Sequence, residues 1–282
     1  TVTYNGGAPN TEKGICWSNS PDPDLDDSHV SVTTGSDTYS GTLTGLSSGT
    51  RYYARAYVKN EGGTAYGEQV VFVTKVADIE GNLYSTVYIG EQVWMAENLR
   101  TTTLTNNAPI PNVTDNTEWS NLNGPAYCWY NNDISYKPTF GALYSWFTIE
   151  SGALCPSGWH VPSDAEFNAL EMFLGMNPDS VNVWGWRGTD QGSQLKSTTS
   201  WDDGGNGTNT SGFSGLAGGY RIGLSGNFYA VGILTYWWTA TDDSVNDKPE
   251  VAWYRRLDGE YNDIYKATTY KRGGKYIRCV KN

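Results

Sequence analysis

Cations are scarce in this chain relative to anions, and long apolar runs are absent. The 282 residues contain 19 Lys and Arg against 30 Asp and Glu, which gives a net charge of −11. A protein that binds duplex nucleic acid needs clustered cations to displace the counterions of the phosphates, and this balance argues against one. A run of roughly 18 apolar residues, long enough to cross a bilayer as a helix, does not occur. We expect no nucleic-acid partner and no transmembrane segment.

The common signatures of catalysis are also missing. The chain has only two His, and it shows neither a phosphate-binding P-loop nor a dinucleotide-binding fingerprint. The segment 45–49, Gly-Leu-Ser-Ser-Gly, matches the nucleophile-elbow pattern, but that motif needs a strand before it and a helix after it. Here it lies among turns and short strands. The sequence does not decide whether two carboxylates are paired for glycoside hydrolysis, because only the distance between them in space matters. We expect a protein that is not an enzyme.

Aromatic residues and glycine are what the chain has in abundance. It contains 12 Trp, 20 Tyr and 33 Gly, a mixture typical of extracellular modules rich in strands and loops. The sequence becomes richer in Trp, Asn and Gly after residues 75–82. We therefore predict two domains, residues 1–75 and 76–282.

The first domain shows short segments of alternating character with turn signals between them. These predicted strands are residues 14–18, 39–43, 51–58 and 67–74. The run 43–53 resembles the corner before strand F of fibronectin type III and other immunoglobulin-like domains, where a Tyr hydroxyl bonds to the backbone just upstream. The resemblance implies an all-β immunoglobulin/fibronectin-like sandwich over residues 1–75.

This sandwich is expected to lack its first strand, because Thr1-Val2-Thr3-Tyr4 resembles strand B rather than strand A. A missing strand leaves an open sheet edge that invites pairing. Either the chain has been shortened there, or a neighbouring subunit or module supplies the strand.

Two segments of the second domain have helical character. In residues 140–149, apolar side chains recur at helical spacing. The second segment starts at Ser163, which forms a predicted capping box with Glu166, and Gly175 is expected to end it. Its apolar stripe comprises Phe167, Leu170 and Leu174. We expect two amphipathic helices packed on a sheet.

Five motifs of the second domain occur in a characteristic order. They are Ile89–Leu99 (IGEQVWMAENL), Ala126–Asp133 (AYCWYNND), Cys155–Ser163 (CPSGWHVPS), Tyr236–Thr241 (YWWTAT) and Lys275–Val280 (KYIRCV). Together they resemble the bacterial major paralogous domain family, called FISUMP, over about residues 76–282. The resemblance implies an α+β C-type-lectin-like fold: two helices around a small twisted antiparallel sheet, with long irregular loops. Residues 184–219 would form the long loop region.

Four cysteines are present, Cys16, Cys128, Cys155 and Cys279. The lectin-like pattern implies a disulfide between Cys155 and Cys279, with Cys16 and Cys128 as single buried thiols. The alternative is that all four are small buried apolar side chains. Zinc is disfavoured because no two cysteines are close in sequence, and the same absence argues against formylglycine-generating oxidase chemistry. A disulfide points to an oxidising compartment, so we expect an extracellular or outer-membrane-surface protein of a bacterium, whose signal or lipid anchor is not in this chain.

Two acidic stretches raise the question of calcium. They are residues 22–27 and the set Asp242, Asp243, Asp247 and Glu250. Calcium needs six to eight oxygen ligands, and neither stretch forms an EF-hand loop. The Glu-Pro-Asn signature of calcium-dependent lectins is absent as well. We expect no cofactor and no metal, with calcium kept as the alternative.

The candidate ligand-binding residues lie in the late strands and their loops, where ligands meet lectin-like domains. This region concentrates Tyr, Arg, Asn and Asp, which resembles the chemistry of antibody loops. The expected contact set is Arg255, Arg256, Tyr261, Tyr265 and Tyr270, with Asp258 and Asn262 at the rim. The alternatives are an ordinary hairpin without a site, or a site in the Gly-rich loop 184–201.

The sequence thus favours a non-catalytic, adhesin-like binding module, in which a β-sandwich spacer presents a lectin-like domain to a surface glycan or protein ligand. The second interpretation is a structural subunit of a surface fibre, or an accessory of an outer-membrane complex whose other subunits are its partners. An enzyme is the third.

Overall fold

The computed structural model describes residues 9–32, 38–243 and 248–282. The chain forms two compact units, residues 1–75 and 76–282, and the boundary between them falls where the composition of the sequence changes. The strand expected at Thr1–Tyr4 lies outside the described residues. In the described part of the chain, no helix is long and apolar enough to cross a membrane.

The first unit is built on one antiparallel sheet. Its strands are β1 (Glu12–Ser18), β2 (Ser28–Ser31), β3 (Arg51–Asn60), β4 (Gly63–Tyr66) and β5 (Val70–Val73). Their order is β2-β1-β3-β4, and β5 pairs with the first half of β3. The hydroxyl of Tyr52 accepts a hydrogen bond from the backbone N–H of Ser47 at 3.0 Å.

One strand predicted for this unit is wrong. Residues 39–43 form no strand; their backbone is irregular, and the Tyr39 hydroxyl donates to the carbonyl oxygens of Gly14 and Tyr57. The described residues 9–32 and 38–75 place their five strands in one antiparallel sheet, which agrees with the all-β character predicted for this unit.

The second unit is also mostly strands. They are β6 (Val76–Ala77), β7 (Leu83–Tyr84), β8 (Thr86–Ile89), β9 (Gln92–Met95), β10 (Tyr127–Cys128), β11 (Leu143–Tyr144), β12 (Trp159–His160), β13 (Gly185–Arg187), β14 (Gly218–Arg221), β15 (Phe228–Val231), β16 (Leu234–Asp243), β17 (Lys248–Asp258), β18 (Ile264–Tyr270) and β19 (Val280–Lys281).

The helices of this unit are short. They are α1 (Asn116–Ser120), α2 (Lys137–Phe140), α3 (Asp164–Phe173) and α4 (Gln191–Leu195), with 3-10 turns at Tyr130–Asn132, Ile134–Tyr136, Trp146–Ser151 and Asp202–Gly204. Helix α3, with 10 residues, is the longest helix in the described part of the chain.

The largest sheet has six strands in the order β13-β18-β17-β16-β14-β15. A second sheet has the order β12-β19-β9-β8, and β10-β11 and β6-β7 form two-stranded sheets. Consecutive residues of β16 enter different cores: Trp237 packs with Phe167 of α3, whereas Trp238 packs with Tyr144 and Trp146. Because successive side chains of a strand point to opposite faces, the two cores lie on opposite faces of the large sheet.

The predicted helix over residues 140–149 is wrong. Helix α2 ends at Phe140, Gly141 adopts a positive φ of 77°, and β11 and a 3-10 turn follow. A Cβ at position 141 would lie 2.7 Å from the carbonyl oxygen of Leu99, so only glycine fits there. The apolar residues at helical spacing are indeed mostly buried, but sheet pairing with β10 determines the backbone conformation.

Helix α3 agrees with the sequence. Ser163 is its N-cap, and both hydrogen bonds of the capping box are present: the Ser163 side chain accepts from the Glu166 backbone N–H, and the Glu166 side chain accepts from that of Ser163. Gly175 follows the helix with a φ of 97°. Because the predicted first helix is absent and the sheets dominate, the predicted C-type-lectin-like fold, with two helices around a small sheet, is wrong. The unit is a mostly β structure with several sheets.

The predicted disulfide is confirmed. Cys155 and Cys279 are bonded, with Cα atoms 6.0 Å apart, and the bond closes a loop of 124 residues. Cys16 and Cys128 are free, buried thiols, also as predicted. Burial raises the pKa of the Cys128 thiol to about 12, so this group is unreactive at neutral pH.

Candidate ligand-binding face

A row of aromatic rings crosses all six strands of the large sheet. We call this row, together with the arginine that lies among its rings, the tyrosine face. It consists of Trp186, Tyr220, Tyr229, Tyr236, Tyr254, Tyr261 and Tyr265, with Arg256. Neighbouring ring centroids along the row lie 4.1–6.3 Å apart, from Tyr261 on Trp186 at one end to Tyr229 beside Tyr220 at the other. These are distances at which aromatic rings attract one another.

Strand register places these side chains on one side of the sheet. Arg256 lies opposite both Tyr236 and Tyr265, and Trp186 lies opposite Tyr265. Residues directly opposite in antiparallel strands share a face, as do residues two apart on one strand, which adds Tyr254. The two-residue alternation of the strands thus builds the row.

The tyrosine face borders the core that contains Trp238, Tyr144 and Trp146, and it is partly open to solvent. Tyr261 is 42% exposed and Tyr229 is also exposed, Tyr236 is buried, and the other rings are half-buried. Burial raises the pKa of Tyr254 to about 12, so its hydroxyl is a neutral hydrogen-bonding group at physiological pH. The face offers flat ring surfaces and polar hydroxyls together.

Arg256 is the cation at the centre of the row. Its guanidinium lies 5.1 Å from the Trp186 ring centroid and 5.4 Å from that of Tyr265, and it pairs with the carboxylate of Asp258. Its buried Nε has no hydrogen-bond partner. The guanidinium therefore has a donor left for another acceptor.

Lys275 lies beneath the same rings. Its ammonium nitrogen is 4.7 Å from the ring centroids of Tyr236 and Trp238, 4.8 Å from that of Tyr254 and 5.7 Å from that of Tyr220. The residue is 3% exposed. Within the described part of the chain its ammonium has cation–π contacts but no carboxylate partner, and burial lowers its pKa to about 7.

Lys275→Met is expected to stabilise the protein in a pH-dependent way. The folded chain releases the Lys275 proton near pH 7, whereas the unfolded chain holds it up to about pH 10. Between these values the unfolded state binds more protons, so this group makes the parent more stable as the pH rises. The Lys275→Met variant should be more stable than the parent at pH 7 by on the order of 2–4 kcal/mol, a gain that vanishes by about pH 10.

Urea unfolding at pH 7 and pH 10 measures this effect. Lys248→Met, at an exposed lysine of β17, is the matched control and should change little at either pH. A Lys275→Met variant that is less stable than the parent at pH 7 would contradict the burial of an unpaired ammonium.

The structure divides the predicted contact set. Arg256, Tyr261 and Tyr265 lie on the tyrosine face. Arg255 does not: it is buried on the opposite side of the sheet. Tyr270 is exposed but lines a separate groove of about 470 Å³ with Leu122, Phe147, Pro249 and Arg272.

The two predicted rim residues also separate. Asp258 is buried and accepts from the Arg256 guanidinium, so it supports the face from within. Asn262 is exposed in the turn beside Tyr261, and its carbonyl oxygen accepts from the backbone N–H of Ser193.

Arg255 belongs to a buried charge cluster between the sheet and α3. Glu171 contacts Arg187 at 2.5 Å and Arg255 at 2.6 Å, and Asp164 contacts Arg255 and Lys266, each at 2.7 Å. Burial alone would raise the pKa of Asp164, but the two cations outweigh it and the pKa is lowered. The cluster joins α3 to the sheet and is enclosed, so its role is structural.

His160, Ser163 and Glu166 lie close together, but they do not form a hydrolase triad. The Ser163 hydroxyl donates to Glu166 at 2.8 Å, and the His160 ring contacts Glu166 and Asn282 at 2.6 Å each. A nucleophilic serine would instead bond to the histidine. These contacts belong to the cap of α3.

The acidic stretches bring no metal site together in the described residues, where no group of three or more His, Cys, Asp or Glu is placed to hold an ion. Asp247, which belongs to the second of these acidic stretches, lies outside the described residues.

Sequence reasoning placed only three of the eight residues of the tyrosine face in the contact set, and Trp186 lay in the alternative loop 184–201. Tyr220, Tyr229, Tyr236 and Tyr254 were not predicted as contacts, although Tyr254 and Arg256 are two apart on a strand and must share a side. The same rule would have separated Arg255 from Arg256. Lys275 carries no local signal, because only the tertiary fold places it under the rings.

Comparison with known proteins bears on the second unit. Residues 87–281 match the model of a family described as the Fibrobacter succinogenes major domain. No curated protein and no solved structure matches the chain. The family match confirms the membership predicted from the ordered motifs, and it covers about two-thirds of the sequence. The chain therefore belongs to the Fibrobacter succinogenes major domain family.

Proposed function

We propose that this protein is a non-catalytic, adhesin-like module of the bacterial cell surface that binds an extended saccharide chain on the tyrosine face. The observation that carries the proposal is the row of rings, one on each of six adjacent strands. The C–H faces of sugar rings pack on aromatic rings, and tyrosine and arginine supply hydrogen bonds to hydroxyl groups.

The length of the row suits a chain rather than a single small molecule. Neighbouring strands lie about 4.8 Å apart, so six strands span roughly 24 Å. Tyr261 and Tyr229 are exposed at the two ends, which leaves the row open for a ligand that continues past it. An extended chain of several sugar units matches this shape.

The charges of the face support binding without turnover. Hydrolysis of a glycosidic bond uses two carboxyl groups on either side of it. The carboxylate that contacts the tyrosine face, that of Asp258, is buried and paired with Arg256. The Cys155–Cys279 bond supports the surface location, because disulfides persist in oxidising compartments.

Removing rings from the face should weaken saccharide binding while leaving the fold intact. We expect Trp186→Ala and Tyr265→Ala each to lose about 1–2 kcal/mol of binding free energy, which corresponds to roughly 5- to 30-fold in affinity. Affinity electrophoresis against soluble neutral and acidic polysaccharides measures this loss.

Tyr270→Ala is the matched control. Tyr270 is an exposed tyrosine on β18, the strand that also carries Tyr265, but it lies away from the row of rings. The control variant should leave binding unchanged. Equal losses in all three variants, or a loss in Tyr270→Ala alone, would place the site elsewhere.

A structural subunit of a surface fibre is the second candidate, and one feature of the first unit favours it. An apolar groove of about 500 Å³ is lined by Ile15, Leu43, Leu46, Val70 and Phe72. Val70 is 61% exposed, and exposed apolar patches commonly mark interfaces. Ordered homopolymers in electron micrographs of the purified protein would favour this function over saccharide binding.

A further inference from the structure

Two cations of the tyrosine face, Lys275 and Arg256, lie close together among its rings. Lys275 is nine-tenths buried or more, and its ammonium has no carboxylate partner in the described part of the chain. Arg256 has a buried Nε without an acceptor. Both lie within 6 Å of the Tyr236 ring centroid, at 4.7 Å for Lys275 and 5.9 Å for Arg256. The two cations therefore flank the same ring, that of Tyr236.

We propose that the saccharide bound by the tyrosine face is acidic, and that Lys275 and Arg256 recognise its anionic groups. This inference rests on the function proposed above and adds the chemical class of the ligand. The rings bind the sugar faces, and the two cations select a chain that bears negative charge.

The surroundings of Lys275 support an anion as the missing partner. An ammonium enclosed by rings keeps part of its stabilisation through cation–π attraction, but it loses the hydrogen bonds that water gave it. The groups that face it are the rings of Tyr220, Tyr236, Trp238 and Tyr254, and none of them is a carboxylate. An anionic group of the ligand would supply both an acceptor and a counter-charge.

Arg256 supplies the second contact. One side of its guanidinium is occupied by Asp258, and the remaining donors lie among Trp186, Tyr236 and Tyr265. A guanidinium binds carboxylate and sulfate oxygens with two parallel hydrogen bonds, which fixes the orientation of the ligand. The tyrosine face thus holds two cations, Lys275 and Arg256, against one carboxylate, that of Asp258. This local excess of cations contrasts with the net charge of −11 of the whole protein.

The test compares ligands that differ only in charge. Polygalacturonate is paired with its fully methyl-esterified form, and dextran sulfate is paired with dextran, so the two arms separate carboxylate from sulfate recognition. Dissociation constants are measured by isothermal titration calorimetry for the parent, Lys275→Met, Arg256→Gln and the control Lys248→Met, at pH 6 and pH 9 and at two salt concentrations.

We expect the parent to bind at least one acidic polymer 10-fold or more tightly than its neutral partner at pH 6. This preference should fall at pH 9, because Lys275 loses its proton near pH 7. In Lys275→Met the preference should fall to about 3-fold or less and lose its pH dependence, and Arg256→Gln should weaken it at both pH values. Lys248→Met should behave like the parent.

Equal binding of charged and neutral partners overturns the inference, as does a preference that survives unchanged in Lys275→Met. If neutral polymers bind and Trp186→Ala abolishes that binding, the proposed function stands while the acidic ligand is rejected. If no polymer of either pair binds, both proposals fail.

Discussion

Replacing Glu171 by Gln is expected to lower the free energy of unfolding by about 3–5 kcal/mol. Glu171 is 0% exposed and pairs with Arg187 and Arg255, which are themselves buried. Gln keeps the shape of the side chain but removes its charge, so two guanidinium groups would stay buried with one carboxylate, Asp164, beside them. Burial already lowers the pKa of Arg187 to about 10, and Glu171 opposes that shift.

The comparison variant is Glu91→Gln, at an exposed glutamate of the same unit. It makes the same chemical change in water and should cost no more than a few tenths of a kcal/mol. Urea unfolding followed by circular dichroism gives both values. A loss below about 1 kcal/mol in Glu171→Gln would mean that water reaches the cluster.

Loss of the Cys155–Cys279 bond is the second large effect that we expect. The bond closes a loop of 124 residues, and the chain-entropy model assigns roughly 4–5 kcal/mol to a loop of that length. Cys279 directly precedes β19 and Cys155 lies shortly before β12, and these two strands pair in the four-stranded sheet. The double variant Cys155→Ala/Cys279→Ala should therefore unfold at a much lower denaturant concentration.

A reducing agent provides the control for this measurement. It should destabilise the parent protein to the level of the double variant, and it should not change the variant further, because Cys16 and Cys128 are free thiols already. A parent protein that is equally stable with and without reductant would contradict the expected contribution of the bond.

Local signals of the sequence predicted local structure well. The start of α3 depends on Ser163 and Glu166, three residues apart, and a capping box needs nothing from the rest of the chain. The long strand β3 was recognised from the alternating sequence of residues 51–58. Pairing of Cys155 with Cys279 came from the family resemblance, since spacing alone does not decide connectivity.

Predictions failed where distant residues decide the outcome. In segment 140–149 the apolar residues recur at helical spacing. In the structure, however, Gly141 passes close to the backbone of Leu99 and β11 pairs with β10. Those constraints come from residues far away in sequence and override the local pattern. The lectin-like fold, which assumed that helix, failed with it.

The site was predicted in part for the same reason. Tyr261, Tyr265 and Arg256 lie close in sequence and were recognised together, whereas Tyr220, Tyr236 and Lys275 reach the face from other strands and from the segment before β19. Their positions depend on the strand order β18-β17-β16-β14, which no local motif encodes.

The most direct test of the central claim is to map where a bound saccharide touches the protein. Isotope-labelled protein is titrated with oligogalacturonate and with neutral galactan oligomers, and NMR shift changes are followed at backbone amides and tryptophan indoles. Binding along the tyrosine face predicts changes concentrated on the six strands β13, β18, β17, β16, β14 and β15 and at the Trp186 indole. Changes confined to the groove beside Tyr270, or to the apolar groove of the first unit, would contradict it.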